Sequence, residues 1–225
     1  MITRSRAPLR LGLAGGGTDV APFDMTYGGL VLNCCVGKYA YVTLENVSSN
    51  QYTSFEALVL NVKEEAIAAA QSLDSTKLLL HQAVHRKIYE KFGISPQHKI
   101  KVISYCDAVP GSGLGSSSTM VVALLCAYNH HFNLGMKRYD IAKLSFDVER
   151  IDCALSGGKQ DQFSAVFGGF NLMEFGPNDH EFVNTLRIEP EIERELLANL
   201  CLVNLGVSRS SAKIIESQIR TVKNK

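Results

Sequence analysis

Alternation of apolar and polar positions marks Leu9 to Ala14 as a strand, stopped by Gly15-Gly16-Gly17. Thr18-Asp19 can cap a short helix through Tyr27, ended by Gly28-Gly29. Leu30 to Glu45 is rich in Val, Tyr and Leu and reads as one long strand or a bent pair, and Tyr52 to Val62 as two shorter strands. Helical spacing returns at Lys77–Phe92, where Leu79, Leu80, Ala83, Val84 and Ile88 share a side and Gly93 and Pro96 supply the stop. Lys99 to Tyr105 reads as a strand. A glycine- and serine-rich loop follows, then an apolar helix to about Phe132. Arg138 to Leu155 predicts one helix, Gln160 to Phe167 a short one, and Gly169 to Phe175 a strand.

After Gly176-Pro177-Asn178-Asp179 the pattern enters what reads as a second unit. It holds a strand (Phe182 to Ile188), an acidic helix (Glu191 to Leu197), a strand (Leu200 to Leu205) and a helix from Ser208. The expected division is therefore 1–176 and 177–225, and the fold class α+β. A final unit of about 45 residues is too small to bury its own core comfortably and has too few strands for a stable sheet. The chain is expected to be a fragment, or the product of a shortened reading frame.

Composition narrows the function classes. The chain has 225 residues, 46% of them hydrophobic, which is ample for a core. The net charge is +1 and no basic run or basic helix face stands out, so neither nucleic acid nor an anionic membrane is the expected partner. Six cysteines show no C-x-x-C spacing and sit mostly among apolar residues. They read as buried thiols in a reducing compartment, not as a disulfide framework or zinc site. The polar N-terminus lacks an apolar signal core, so the expected location is the cytoplasm.

Chemistry concentrates in Pro110-Gly111-Ser112-Gly113-Leu114-Gly115-Ser116-Ser117-Ser118-Thr119, between a strand and an apolar helix. Glycines let backbone approach a ligand, and a helix start offers unpaired N–H groups and a positive dipole end. This arrangement makes a phosphate cradle; a serine-capped helix entry with no ligand is the alternative. It is not the common P-loop, because no Gly-Lys-Ser/Thr occurs. Ser116 and Ser117 could reach a Mg²⁺ that bridges phosphates, an ion that takes only one or two carboxylates from protein. Glu149 is a candidate carboxylate, since it lies near the apolar side of its predicted helix, although a solvated helix face paired with Arg150 explains it as well. In Gly157-Gly158-Lys159-Gln160-Asp161-Gln162, Asp161 is either a general base or a residue that favours a helix N-terminus. Arg10 could hold a carboxylate base or a transferring phosphoryl group. Asp19, after Gly16-Gly17-Thr18, could grip vicinal sugar hydroxyls or simply cap a turn. Ser208-Arg209-Ser210-Ser211 is either an anion site for a second phosphate or an ordinary N-cap.

In this order and spacing, Arg6-Ala7-Pro8-Leu9-Arg10, Gly15-Gly16-Gly17-Thr18-Asp19, the loop at 110–119, Glu149 and Gly157–Gln162 resemble the GHMP family of small-molecule kinases, over about residues 4 to 175. Within it the likeness is strongest to D-glycero-D-manno-heptose 7-phosphate kinases, adding Tyr27-Gly28-Gly29-Leu30-Val31-Leu32-Asn33 and Gly206–Ser211. The Glu-His that galactokinases carry before Thr-Asp is missing. The resemblance implies a ribosomal protein S5 domain 2-like N-terminal domain, with a truncated ferredoxin-like C-terminal one. It implies that Pro110 to Ser118 wrap the phosphates of ATP, and that Ser117, Ser116 and Glu149 hold Mg²⁺. Asp161 would then take the proton from the sugar hydroxyl with Arg10 in support, and Lys159 is a further catalytic candidate. Gly16, Gly17, Thr18, Asp19 and Arg209 would bind the sugar phosphate. The implied reaction is phosphoryl transfer to the anomeric hydroxyl of a heptose 7-phosphate. Another sugar kinase of the fucose or galactose type, or an inactive truncated relative that binds nucleotide or sugar, are the alternatives; no third glycine-rich motif follows Gly169. A homodimer is a candidate assembly.

Overall fold

Thirteen residues at the N-terminus, Ile2–Ala14, form strand β1, which begins well before the apolar alternation at Leu9. The computed structural model describes residues 1–47, 52–66, 72–73, 76–201 and 203. Helix α1 (Phe23–Tyr27) leads into β2 (Gly29–Asn46), a single 18-residue strand. Short strands β3 (Ser54–Ala57) and β4 (Val62–Glu65), helix α2 (Leu79–Phe92) and strand β5 (Ile100–Cys106) follow. Then come α3 (Ser116–His131), α4 (Arg138–Asp147), α5 (Gln160–Phe167), β6 (Phe170–Gly176), β7 (His180–Leu186) and α6 (Pro190–Asn199).

Strand β2 organises the sheet. It pairs with β1 along most of its length, with β5 through Ala40–Asn46 and with β6 through Gly29–Cys34. The order is β4-β3-β5-β2-β6-β7, antiparallel except for the parallel pair β3/β5, so the class is α+β. Helices α3 and α5 lie against β1 and β2. Their apolar faces meet Ala40, Val42 and Leu44, which alternate with more exposed neighbours, in a core that also takes Val121, Leu124, Leu125 and Tyr128.

Two expectations change. The helix expected from Arg138 to Leu155 is shorter: α4 passes into one π-helical turn, Val148–Asp152, and Ala154 has a positive φ that ends it. The strand expected to open a second unit is instead β7, which forms a hairpin with β6 and extends the same sheet past Gly176. Its pairing partners lie in β6, and sequence alternation carries no information about which sheet a strand joins. The expected strand at Leu200–Leu205 and the helix from Ser208, Arg209 included, fall outside the described residues except for Cys201 and Val203. Among the described residues no helix is long and apolar enough to cross a membrane.

Buried His81 lends the fold an acid sensitivity. Its Nε2 lies 2.8 Å from Ser104 Oγ, and burial pushes its pKa down to about 4, against a smaller upward pull from Glu64. A depressed histidine contributes stability in full above its unfolded value and loses it as the pH falls towards the folded value. Between pH 7.5 and 5.5 this residue should therefore cost the fold about 1 kcal/mol. Urea unfolding at both pH values checks this. The His81→Gln variant should show a pH-dependent loss smaller by that amount, whereas an equal loss would remove His81 as the cause. Asp19 and Glu149, whose carboxyls burial pushes up, act with the opposite sign, so the comparison between variants isolates the histidine.

Candidate active site

Arg10 is aimed by an irregularity in its own strand. The β1/β2 register shifts between Pro8 and Arg10, and bulges of this kind redirect side chains next to active sites. Its Nε and Nη2 both reach Asp161 Oδ1, at 2.7 and 2.5 Å, while Nη1 donates to the Gly113 carbonyl at 3.0 Å. The Arg10 backbone N–H donates to Leu114 O at 3.2 Å. One residue of β1 thus joins the glycine loop to the acid that opens α5.

The loop needs its glycine at 115 for two reasons. Gly115 precedes α3 in the left-handed region, with φ of 72°, and a Cβ there would stand 3.3 Å from the Asp161 carboxylate. The loop backbone therefore runs directly over Asp161. Gly111, Ser112 and Gly113 are exposed, and Ser116 begins the helix, so the unpaired N–H groups of the first turn of α3 face the same region.

Glu149 sits on the π-helical turn, 1% exposed. Ser117 Oγ donates to its Oε1 at 3.1 Å and Gln162 Nε2 to its Oε2 at 2.5 Å. Burial pushes its carboxyl up, with Arg150, Ser118 and Gln162 pulling the other way. The Arg150 guanidinium stays 4.0 Å off and is spent on the carbonyls of Leu155 and Gly158. This is a buried carboxylate whose ion pair with Arg150 is long, tied through an exposed serine to the mouth of the phosphate loop. That donor set, one carboxylate and one hydroxyl, suits a hard cation that completes its shell with phosphate oxygens and water. Among the described residues no group of three or more His, Cys, Asp or Glu could hold a metal by itself.

The remaining expected residues are placed as follows. Gly16 is exposed at the tip of a turn, closed by the Thr18 N–H on Gly15 O at 3.1 Å. Thr18 Oγ1 donates to Gly15 O at 2.7 Å and accepts from the Leu30 N–H at 3.0 Å. Asp19 is 1% exposed, with its oxygens on Gln160 and on the Gly17 N–H. The Lys159 ammonium lies between Asp24 (3.3 Å) and Glu181 (3.5 Å). Arg209 lies outside the described residues.

Gln160 and Gln162 are the site residues that sequence reasoning passed over. Four consecutive residues at the start of α5 are each tied to a different element: Lys159 to α1 and β7, Gln160 to the glycine turn, Asp161 to β1, and Gln162 to the π-helical turn and α3. The signal was available, because two amides flank Asp161 at the entry of a helix whose next residue, Phe163, is fully buried.

A further opening borders the loop. A cavity of about 170 Å³ is lined largely by apolar groups of Ala57, Leu60, Leu78, Leu80 and Met120, and reaches Pro110, Ser116 and Ser117.

Residues 79–169 match the model of the GHMP kinase N-terminal domain. The D-glycero-alpha-D-manno-heptose 7-phosphate kinase of Campylobacter jejuni is 36% identical over 223 residues, covering 95% of this chain and 62% of that protein. The crystal structure of a D-glycero-D-manno-heptose 1-phosphate kinase from Bacteroides thetaiotaomicron superposes with a TM-score of 0.81 at 42% identity, over 87% of this chain and 63% of that one. Mevalonate kinase from Methanococcus jannaschii, at 13% identity and a TM-score of 0.67 over 100% of this chain and 71% of that one, shares the fold alone. The chain thus spans less than two thirds of the length of the two heptose kinases it matches. The chain is thus similar to GHMP kinases, and its residues 79–169 match their N-terminal domain.

Proposed function

We propose that this chain carries the catalytic N-terminal part of an ATP-dependent sugar kinase that phosphorylates the anomeric hydroxyl of a D-glycero-D-manno-heptose 7-phosphate. The observation that carries the reading is the contact of the glycine loop with Asp161: a Cβ at Gly115 would stand 3.3 Å from the Asp161 carboxylate, and Arg10 binds both the loop and the acid. A phosphate held by the loop and a hydroxyl held by Asp161 would lie within a few ångströms of each other, the proximity that phosphoryl transfer needs.

In the proposed reaction the sugar O1 forms a bond to the γ-phosphorus as the bond to the β–γ bridging oxygen breaks. ADP leaves and the hydroxyl proton passes to Asp161. Arg10 fixes the Asp161 carboxylate by binding Oδ1 twice, which leaves Oδ2 beside Gly115 to meet the hydroxyl. The N–H groups from Gly111 to Ser118 cradle the phosphates, and the apolar cavity beside Ser116 takes the base. Ser117 and Glu149 would hold Mg²⁺, which when bound neutralises charge on the phosphates. The exposed turn at Gly16 and Gly17, with Thr18, forms the wall where the sugar lies, and Arg209 is the candidate for its 7-phosphate.

The supporting relatives are two heptose kinases by name. A coupled ADP-release assay with mannose, fucose and heptose 7-phosphate tests the reading. The expected result is turnover with heptose 7-phosphate at the highest kcat/KM. Faster turnover of fucose would overturn the substrate, and nucleotide binding without turnover on any sugar would overturn catalysis by this chain.

A further inference from the structure

We propose that Gln162 is a positioning residue for the divalent cation: its side-chain amide takes the inner oxygen of Glu149 and leaves the outer one, beside Ser117, to the metal. The inference rests on the metal role proposed for Glu149 and Ser117 and is independent of the sugar.

Gln162 is the third residue of α5 and is fully buried. Its Nε2 donates to Glu149 Oε2 at 2.5 Å and to Ser118 Oγ at 3.2 Å. An amide nitrogen carries two hydrogens, so both are committed. Its Oε1 is buried without a hydrogen-bond partner among the described residues. Turning the amide over would set that oxygen against the Glu149 carboxylate, acceptor to acceptor, and would strip both N–H groups of their partners. The orientation is therefore fixed by Glu149 and Ser118, at the expense of the amide's own oxygen. Buried polar atoms are seldom left unpaired, and packing alone would be served as well by an apolar side chain of this length.

The two oxygens of Glu149 are thereby divided. Oε2 faces inward to Gln162, while Oε1 accepts from Ser117 Oγ, 3.1 Å away on an exposed residue in the first turn of α3. Adjacent oxygen ligands of an octahedral Mg²⁺ lie roughly 3.0 Å apart when each is about 2.1 Å from the ion. The pair of Glu149 Oε1 and Ser117 Oγ already has that spacing.

Charge explains why an amide stands at 162. A carboxylate buried at 1% exposure needs donors, because loss of water opposes its charge. A cation in that place would supply them, but it would also neutralise the charge that attracts a metal. Gln162 donates without neutralising. Arg150, the cation that does approach, stays 4.0 Å from Oε2 and is bound to the carbonyls of Leu155 and Gly158. Gln162 also follows Asp161 directly, so a metal that draws on Glu149 bears on the same turn of helix that carries the proposed base. Removing a partner that orients a metal ligand typically costs about 10–100-fold in metal affinity or activity.

The test compares Gln162→Met and Gln162→Asn with the unaltered chain, by Mn²⁺ binding in the presence of ADP, read by electron paramagnetic resonance, and by steady-state kinetics. Met keeps the length of the side chain without the amide; Asn keeps the amide but is one methylene too short to reach Glu149. Both should weaken Mn²⁺ binding about tenfold or more, with ADP affinity in the absence of metal within about threefold of its starting value. The KM for heptose 7-phosphate should stay within about threefold, while the Mg²⁺ concentration for half-maximal rate rises in step with the lost binding. A side chain that only fills space would lower Tm and leave the Mn²⁺ affinity of the folded protein within about threefold, and that result overturns the proposal. The unaltered chain gives a check that no folding defect can spoil: bound Mn²⁺ with ADP should broaden the side-chain amide resonances of Gln162 beyond detection, and signals that stay sharp overturn the proposal. Weakened Mn²⁺ binding in the variants with no sugar turned over keeps the positioning role and removes the kinase reading. No Mn²⁺ binding by the unaltered chain with ADP overturns the metal site and the proposal with it.

Discussion

Replacing Asp161 with Asn is expected to lower kcat by about 10²- to 10⁴-fold, while nucleotide affinity stays within a few-fold of its starting value. The loss corresponds to roughly 3–5 kcal/mol of barrier. Asn keeps the size of the side chain and can still accept from Arg10 through its carbonyl oxygen, but it cannot take the proton of the sugar hydroxyl. The Arg10 and Asp161 side chains are 16% and 22% exposed, so their ion pair is partly screened and the fold should tolerate the change. Phosphoryl transfer depends mainly on positioning and charge, so a base that acts late on the reaction path would give the lower end of the range. Single-turnover rates with heptose 7-phosphate, together with nucleotide titration, separate the two effects. A kcat within threefold of the unaltered chain would reduce Asp161 to an orienting group.

Phe163→Ala should destabilise the fold by about 3–5 kcal/mol. The ring is fully buried beneath α5, edge-on to Phe175 at 5.5 Å and to Tyr139 at 6.1 Å, and nearly parallel to Phe167. Those rings pin the inner face of α5 to β6 and α4, while the outer face carries the polar ties from Lys159 to Gln162. Removing the ring leaves a cavity that an eight-residue helix cannot close without moving its start. For a chain of this size the expected drop in Tm is roughly 6–20 °C, measured by calorimetry. The activity of the folded fraction should fall as well, because Asp161 moves with the helix. A Tm within about 2 °C of the original would show that α5 is held by its polar ties alone.

Much of this molecule was legible before any coordinates. The alternation in β2 and β5, the apolar run of α3 and the glycine and proline stops placed most elements, because these patterns depend on neighbours within a few residues. The bounds of α5 agreed with the expectation at both ends, since Gln160 to Phe167 lies between glycines on either side. The first residues of β1 escaped notice because Thr3-Arg4-Ser5-Arg6 is polar: this stretch pairs with Tyr41 to Leu44 and buries only Thr3 fully. The π-helical turn escaped because a change of hydrogen-bond register leaves composition untouched.

The sequence by itself determined the α+β class, the glycine loop at a helix start and the acids and arginine available for chemistry, since each of these is a property of residue type and local spacing. Tertiary structure decided which of those residues meet. It brought Arg10 to Asp161 across 151 positions, Glu149 to Ser117 and Gln162, and Asp19 to Gln160, and it joined β7 to the sheet of β6. Such pairings follow from strand register and helix packing over the whole chain, where a carboxylate is directed by the donor it meets and not by the residues beside it. That is why Asp19, which reads as a sugar ligand by its place after three glycines, also binds the first turn of α5.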